Sequence, residues 1–525
     1  MGFKADTSFL RFLTMGAVGV RATITHLRRE GFEAIELERY CASNKIWATK
    51  VKRLRLPDIL CARTGLRVEV RAKSDLRVRM SDAPSNPDRR WDVGLRDDDV
   101  VAFVACDGGG GPTAVCGPPV FFLVRDLRAT VGATKLGPPK SASEGAERDR
   151  EWKCIVPSQD GEVIEVTKDH IVAQMAGGRR QTYRLVGKAP YVGAGDAFRG
   201  GASIIAGVIP RLAPFHAAKR RTWDPLPSLG APDAVDRYAA AKAIPHRDLG
   251  VKGRKALLAA MKSETDDRVA LEIAASASRV GADVGVEHIV SVVTSHPRGD
   301  LRMEAVLILS ELGTATAARE LKRIAMSPQL VGNELRQAAT WGLGKAGCRA
   351  YAELVGLLGD EDDAVALHAI AAFGTDAPVE VITLLVDLLR GEDPRARAAA
   401  SEAIRLVGGD LVIRALVDAA RVADGRRAWI LATLGRLDAA SVRAALAGNS
   451  LLAEVEPILT LRICKPAVGQ PGAGRGQPGA GRRNWWMPNG TARCRMLVAA
   501  AVARSPECVA ARSWLSELVD AEGGA

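Results

Sequence analysis

The sequence predicts a multidomain protein with an α/β N-terminal domain, a small β-rich domain and a C-terminal α-solenoid. Three observations lead to this prediction. A length of 525 residues corresponds to two to four domains. Strand-like alternation of apolar and polar residues dominates the first 215 residues, and Ala-rich helical patterns that repeat along the chain follow it. The predicted ranges are 1–136 for the α/β domain, 150–215 for the β-rich domain, 233–463 for the solenoid and 464–525 for a tail of uncertain structure.

Composition excludes several classes of protein. Hydrophobic residues make up 47% and charged residues 26%, which rules out disorder along the whole chain. No apolar run reaches the ~18 residues of a membrane span, so no membrane partner is expected. Arg11 interrupts the apolar N-terminus, which predicts no signal peptide. Nine cysteines without a C-x-x-C pair argue against a zinc ribbon and a disulfide framework, and favour a cytoplasmic location.

Positive charge is concentrated near the N-terminus. The formal net charge is +12. Between Lys45 and Arg79, eleven Lys and Arg residues stand against three acidic residues. Such a cluster favours a polyanionic partner, and a solvated basic surface is the alternative.

A hairpin is predicted inside this basic region. A helical pattern over residues 17–29 ends at Gly31, and strand-like alternation follows over 32–40 and 46–56. Ile59–Cys61 and residues 66–73 read as two strands joined near Thr64. Folding at that turn places Asp58 opposite residues 69–71. Alternation in the second strand puts Glu69, Arg71 and Lys73 on one face.

A helix followed by three strands, with Pro57-Asp58 on one strand and Glu69-x-Arg71 on the next, resembles the core of PD-(D/E)xK nucleases. The resemblance implies that Asp58 and Glu69 hold Mg²⁺, with Glu36 or Glu38 as a further carboxylate, and that a lysine acts in catalysis. The family lysine slot holds Arg71 here, and Lys73 lies two residues later. Either Lys73 has taken over, or Arg71 is an electrostatic clamp, or the site binds without cutting.

Basic residues around the hairpin are the candidate nucleic-acid contacts. A strand over 100–105, a strand over 119–124 and a helix over 125–131 would complete the α/β layer. Trp91 could stack on a base, and packing at the sheet edge is its alternative role. The predicted contacts are Lys50, Lys52, Arg53, Arg55, Arg77, Arg79, Arg89 and Arg90.

Residues Gly193-Ala-Gly-Asp196 resemble a motif of ribokinase-type sugar kinases, in which Asp196 would be the base. The β-rich character of residues 150–190 does not match the large α/β domain of those kinases. A Gly-rich turn before an apolar helix is the preferred interpretation. Two stretches read as linkers, residues 137–145 and 219–232.

An internal repeat begins after residue 233. The segments 301–313, 335–347 and 396–408 each carry an Arg eleven residues before a Gly that ends a helix. A second helix and an Asp-containing turn follow, as at 379–389 and 391–394. The pattern resembles short HEAT repeats of the phycobilisome-lyase type, which implies a stacked solenoid. Arg302, Arg336 and Arg397 are expected to tie neighbouring repeats together or to contact the preceding Asp turn.

The leading functional hypothesis is a Mg²⁺-dependent nuclease or nucleic-acid-binding protein with a HEAT-repeat recognition module, an arrangement that would suit genome defence or repair in a bacterium. Nucleic acid is the expected partner, and a protein partner could bind the solenoid. The alternative is a non-catalytic HEAT-repeat interaction scaffold with a degenerate nuclease-like domain. The duplicated Gly/Pro segment at 470–481 has no functional interpretation.

Overall fold

A computed structural model describes residues 7–37, 47, 49, 51, 54–107, 114–140, 147–210, 221–345, 348–422 and 427–463. The chain divides into two units. The N-terminal unit contains Ser8–Tyr40 and Arg53–Ala282, and the helical unit contains Met1–Thr7, Cys41–Lys52 and Asp283–Ala525. The four predicted domain ranges remain a prediction.

The N-terminal unit is built on a five-stranded mixed sheet with the order β1-β2-β3-β5-β6. Strand β3 runs antiparallel to β2 and parallel to β5, and β5 runs antiparallel to β6. The strands are β1 (Ala34–Glu36), β2 (Ile59–Cys61), β3 (Arg67–Lys73), β5 (Val100–Ala105) and β6 (Val120–Leu123), preceded by helix α1 (Thr7–Arg29) and followed by α2 (Val124–Ala129). The predicted hairpin, helix 17–29 and strand 100–105 are therefore present. Strand-like pairing over 46–56 is absent from the described residues of that range, so that part of the prediction is wrong.

Apolar residues on both faces of this sheet fix its position. Helix α1 packs through Val20 and Leu27 against Val68 and Val100. A Cβ added at Gly19 would lie 2.7 Å from the Cβ of Ala72, so glycine allows α1 to approach β3 closely. The other face carries a second core that includes Phe103, Phe122 and Trp152.

Three smaller sheets follow, with the orders β4-β8-β7, β12-β11-β10-β14 and β13-β15-β9. Strand β7 (Thr134–Pro139) extends into the predicted linker at 137–145, which therefore begins as a strand. These sheets confirm a β-rich region. Their strands are β4 (Arg79–Asp82), β7 (Thr134–Pro139), β8 (Arg148–Trp152), β9 (Cys154–Ile155), β10 (Gly161–Val166), β11 (His170–Met175), β12 (Arg180–Arg184), β13 (Ala189–Pro190), β14 (Ala197–Phe198) and β15 (Ala206–Gly207).

The first repeat-like helices pack within the N-terminal unit. Tyr238, Ile244 and Ile273 form one core with Ile35 and Leu60 of the sheet. The helices are α3 (Pro225–Ser228), α4 (Ala234–Ala243), α5 (Gly250–Ser263) and α6 (Asp267–Arg279).

The helical unit continues the repeat. Its helices are α7 (Val284–Ser295), α8 (Gly299–Leu312), α9 (Ala315–Ala325), α10 (Asn333–Leu343), α11 (Tyr351–Gly356), α12 (Asp363–Ile370), α13 (Val379–Arg390), α14 (Pro394–Val407), α15 (Gly409–Ala420), α16 (Arg427–Leu434), α17 (Ala439–Ala445) and α18 (Leu451–Ile463). Asp393, in the predicted Asp-containing turn at 391–394, is the N-cap of α14 and accepts a backbone N–H bond from it. Asp362 caps α12 in the same way. Among the described residues, no helix combines the length and hydropathy needed to cross a bilayer.

Arginines at one repeat position join consecutive helices. Arg302 Nε donates to the Val293 carbonyl oxygen at 2.6 Å, and Arg336 Nε donates to the Ala325 carbonyl oxygen at 3.0 Å. Arg397 Nη1 donates to the carbonyl oxygens of Gly391 and Glu392. Each guanidinium therefore satisfies a carbonyl group at or just beyond the C-terminal end of the preceding helix. The expected role of these arginines is confirmed.

Candidate functional site

The predicted carboxylates meet at the β2–β3 hairpin. Ile59 pairs with Val68, which places Asp58 next to Glu69 across the two strands. Asp58 is 5% exposed, and its Oδ2 accepts the backbone N–H of Val70 at 2.7 Å. The Asp58 carbonyl oxygen accepts the N–H of Leu37 beyond β1. The hairpin thus fixes Asp58 through both its backbone and its side chain.

Arg71 pairs with Glu69 in this arrangement. Arg71 Nη1 lies 2.5 Å from Glu69 Oε1, and the Glu69 side chain is 13% exposed. Burial raises the pKa of Glu69 to about 7, and the charge of Asp58 adds to the rise while Arg71 opposes it. Burial, together with the positive charges of Arg71 and Arg79, lowers the pKa of Lys73 to about 8. The cluster of Asp58, Glu69, Arg71 and Lys73 is called the hairpin cluster below.

The hairpin cluster supplies two carboxylates for a metal. One carboxylate accepts a backbone N–H and the other pairs with an arginine. Within the part of the chain that the structure describes, no group of three or more His, Cys, Asp or Glu residues could hold a metal ion. The third proposed ligand, Glu38, lies outside the described residues. Mg²⁺ is often held by one or two carboxylates with water completing its shell, so a Mg²⁺ site at Asp58 and Glu69 stays a prediction.

The candidate nucleic-acid contacts are spread over several elements. Arg55 donates to the Asp88 carbonyl oxygen, Arg77 pairs with Asp75, and Arg90 pairs with Asp92. Arg79 lies 3.9 Å from Asp149, and Arg89 lies in the 3₁₀ turn Pro87–Arg89. Lys50, Lys52 and Arg53 lie outside the described residues. Acidic neighbours therefore balance Arg77, Arg79 and Arg90.

Trp91 packs inside the sheet layers. It is 5% exposed, and its ring meets Trp152 edge to face with the centroids 5.1 Å apart. Base stacking by Trp91 would require this core to open, so packing, the alternative role, is the one observed.

The Gly193–Asp196 motif is a closed turn. Asp196 Oδ2 accepts the backbone N–H of Gly193 at 2.7 Å, and strand β14 follows directly. Residues 197–210, which the structure describes, form no helix after this turn, so the expected apolar helix is wrong there, whereas the Gly-rich turn itself is present. The helix start that the kinase motif needs for its anion hole is missing from the same residues.

Sequence reasoning missed a second cluster, in the helical unit. Trp47 is 2% exposed and contacts Trp341 of α10 and His368 of α12. Thr49 hydrogen-bonds Glu334 in the first turn of α10. We call this group the aromatic cluster below. Its five residues are Trp47, Thr49, Glu334, Trp341 and His368. A tryptophan at position 341, where the aligned copies have Leu307 and Glu402, was the signal available in the sequence.

Comparison with known proteins supports the helical part. A family model described as HEAT repeats matches residues 332–405 and 351–435. No curated protein matches the chain in sequence. HEAT repeats are thus present in the helical unit, within less than half of the chain.

Solved structures with some similarity include a phycocyanin lyase complex and an engineered protein. The complex of CpcE and CpcF of phycocyanin lyase from Nostoc is 19% identical, covers 47% of this chain and 100% of its own, and gives a TM-score of 0.24. An engineered protein is 19% identical, with 57% of this chain and 81% of that chain covered and a TM-score of 0.24. Scores this low carry no conclusion about function.

Proposed function

We propose that the chain is a repeat-based interaction scaffold whose helical unit binds a protein partner. The HEAT repeats over residues 332–435 are the observation that carries this proposal. Repeats of this kind stack into a continuous surface, which protein partners commonly use.

Exposed apolar side chains on the second helices of the repeats favour a protein over a nucleic acid. Val379 and Leu384 on α13 are 54% and 42% exposed, and Leu411 on α15 is 55% exposed. Apolar side chains bury area against a protein partner, whereas a phosphate backbone calls for Lys and Arg.

The experiment compares partners captured by the full chain and by its Leu384→Glu/Leu411→Glu variant, quantified by mass spectrometry and repeated with purified components. We expect the variant to lose the partner. Val251→Glu is the matched control, because Val251 is a 68% exposed apolar residue of the N-terminal unit. Equal capture by all three proteins would contradict binding through α13 and α15.

A second candidate is nucleic-acid binding by the N-terminal unit, with or without metal-dependent cleavage. The proximity of Asp58 and Glu69, with Lys73 on the same face of β3, favours it. The helix α1 followed by antiparallel β1, β2 and β3, and then a parallel β5, supports a nuclease-like fold. Against cleavage stands the pairing of Glu69 with Arg71.

Cleavage is tested by incubating wild type and Asp58→Ala with plasmid DNA and structured RNA in Mg²⁺, Mn²⁺ or EDTA. Metal-dependent cutting by wild type alone would establish a nuclease with Asp58 in its site. Salt-dependent binding by both proteins without cutting would establish a degenerate binder. Neither binding nor cutting would leave the protein scaffold as the remaining function.

A further inference from the structure

Trp47, Thr49 and Val51 belong to the helical unit, although the chain before and after them belongs to the N-terminal unit. Residues 41–52 belong to the helical unit, while Ser8–Tyr40 and Arg53–Ala282 belong to the N-terminal unit. Within this segment, Trp47 is 2% exposed and Val51 is 1% exposed. A tryptophan buried in this way is the type of anchor that dominates binding energy at protein interfaces.

The carboxylate of Glu334 holds the segment at Thr49. The backbone N–H of Thr49 donates to both carboxylate oxygens, at 3.2 and 3.1 Å, and Thr49 Oγ1 donates to Oε2 at 2.6 Å. Both donors come from one residue of the segment. Hydrogen bonds to a charged acceptor contribute more than neutral ones.

Two aromatic rings of the repeats receive Trp47. Its ring lies edge to face with Trp341 at a centroid distance of 6.2 Å and is tilted against His368 at 5.7 Å. Lys345 Nζ lies 4.3 Å from the centroid of the Trp341 ring, which favours that ring's orientation. The contacts therefore come from two consecutive repeats, on α10 and α12.

We propose that Glu334, Trp341 and His368 form a docking site for a protein segment that carries an aromatic residue two positions before Ser or Thr, and that Trp47 and Thr49 occupy it in cis. The inference rests on the proposed function and names the chemistry of the partner segment. Glu334 accepts hydrogen bonds from the backbone N–H and the hydroxyl of the Ser or Thr in the partner segment. Pro at that position would therefore lose the N–H donor, and Val would lose the hydroxyl donor. A phosphothreonine is repelled by the Glu334 carboxylate.

Occupation in cis would regulate access to the site. A segment of the same chain competes at a high effective concentration, so a partner segment meets a site that is free only part of the time. The apparent dissociation constant is then the intrinsic one divided by the fraction of molecules in which the site is free. Removing the cis side chains should free the site without changing its walls.

The test measures fluorescence anisotropy of a labelled 12-residue peptide with the sequence of residues 41–52, added to full-length protein. We expect the Trp47→Ala/Thr49→Val protein to bind this peptide about tenfold or more tightly than wild type. Peptides with Trp47→Ala, with Thr49→Val or with phosphothreonine at 49, and a scrambled peptide of equal charge, should bind weakly. Binding no tighter than wild type, or equal binding of the scrambled peptide, would overturn the inference.

A substitution at Glu334 distinguishes specific binding of the peptide at this site from non-specific binding elsewhere on the protein. Glu334→Gln in the Trp47→Ala/Thr49→Val background should weaken peptide binding. Glu380→Gln is the matched control, because Glu380 is an exposed first-turn glutamate of α13. Equal weakening by both substitutions would also overturn the inference.

If the double variant does not fold, hydrogen exchange of wild type gives the answer. Excess peptide should raise exchange in residues 41–52 by displacing them, and unchanged exchange would overturn the proposal. The peptide result is independent of Leu384 and Leu411. If the peptide does not bind but Leu384 and Leu411 are needed for partner capture, only this docking site is refuted. If the peptide binds but partner capture does not depend on Leu384 and Leu411, only docking through α13 and α15 is refuted.

Discussion

Arg336 joins three successive parts of the helical unit, since its Nε donates to the Ala325 carbonyl oxygen and its guanidinium pairs with Asp360. Ala325 ends α9, and Asp360 precedes α12. The side chain is only 4% exposed, so its charge depends on these partners. One arginine therefore satisfies a helix C-terminus and fixes the entry of the next repeat.

We expect Arg336→Met to destabilise the helical unit by about 3–5 kcal/mol, because it leaves Asp360 and a helix-end carbonyl without their buried donor. Urea denaturation followed by circular dichroism measures the change in the free energy of unfolding. Arg319→Met on α9 is the control, since Arg319 is exposed, and it should change stability by less than about 0.5 kcal/mol. Similar losses for both variants would contradict the role of Arg336.

The N-terminal unit also contains a buried ion pair, between Arg67 and Asp99. Arg67 Nε lies 2.7 Å from Asp99 Oδ1, and both side chains are at most 5% exposed. Asp99 also accepts the backbone N–H of Arg96 at 2.7 Å. The pair connects β3 to the loop that leads into β5.

Removal of one partner from this pair should be costly. We expect Asp99→Ala to destabilise the N-terminal unit by about 3–5 kcal/mol, because Arg67 would remain buried and charged. Thermal melting monitored at the tryptophans of this unit measures the loss. Asp98→Ala is the control, since the neighbouring Asp98 side chain is 65% exposed, and its melting temperature should match wild type.

Local patterns in the sequence predicted the hairpin and the repeat helices. Alternation in residues 66–73 and a turn at Thr64 determined which side chains share a face, and no distant contact was needed to place Glu69 and Asp58 together. The repeat position of Arg302, Arg336 and Arg397 predicted their contacts because each contact is made with the preceding helix or turn.

The aromatic cluster could not be predicted in this way. Thr49 and Glu334 are 285 residues apart in sequence, and alternation over 46–56 suggested a strand of the sheet. The actual partners of Trp47 are helices, so its burial reflects tertiary packing that no local pattern encodes. The pairing of Glu69 with Arg71 is different, because alternation in residues 66–73 already predicts that both side chains lie on one face of the strand.

Glu69 should make stability depend on pH. Its pKa is raised from 4.5 to about 7 in the folded protein, chiefly by burial, so the folded state holds a proton that the unfolded state releases. Stability should therefore fall as pH rises from about 4.5 through 7. Glu69→Gln removes this term, and its melting temperature relative to wild type should be more favourable at pH 8 than at pH 5. Glu33→Gln, on a half-exposed glutamate, is the control and should show no such difference.

Gly342 allows helix α10 to pack closely against helix α8. A Cβ at this position would lie 2.1 Å from Ser310 Oγ and 2.8 Å from Ser310 Cβ on α8. An Ala in place of a helical Gly normally stabilises a helix by up to about 0.5–1 kcal/mol, but overpacking here should outweigh that gain. We expect Gly342→Ala to destabilise the helical unit by about 1–3 kcal/mol in urea denaturation and Ser310→Gly/Gly342→Ala to recover part of the loss. Gly299→Ala on α8 has open space around its Cβ and should be neutral or stabilising. A Gly342→Ala protein as stable as Gly299→Ala would show that α8 and α10 can move apart without cost.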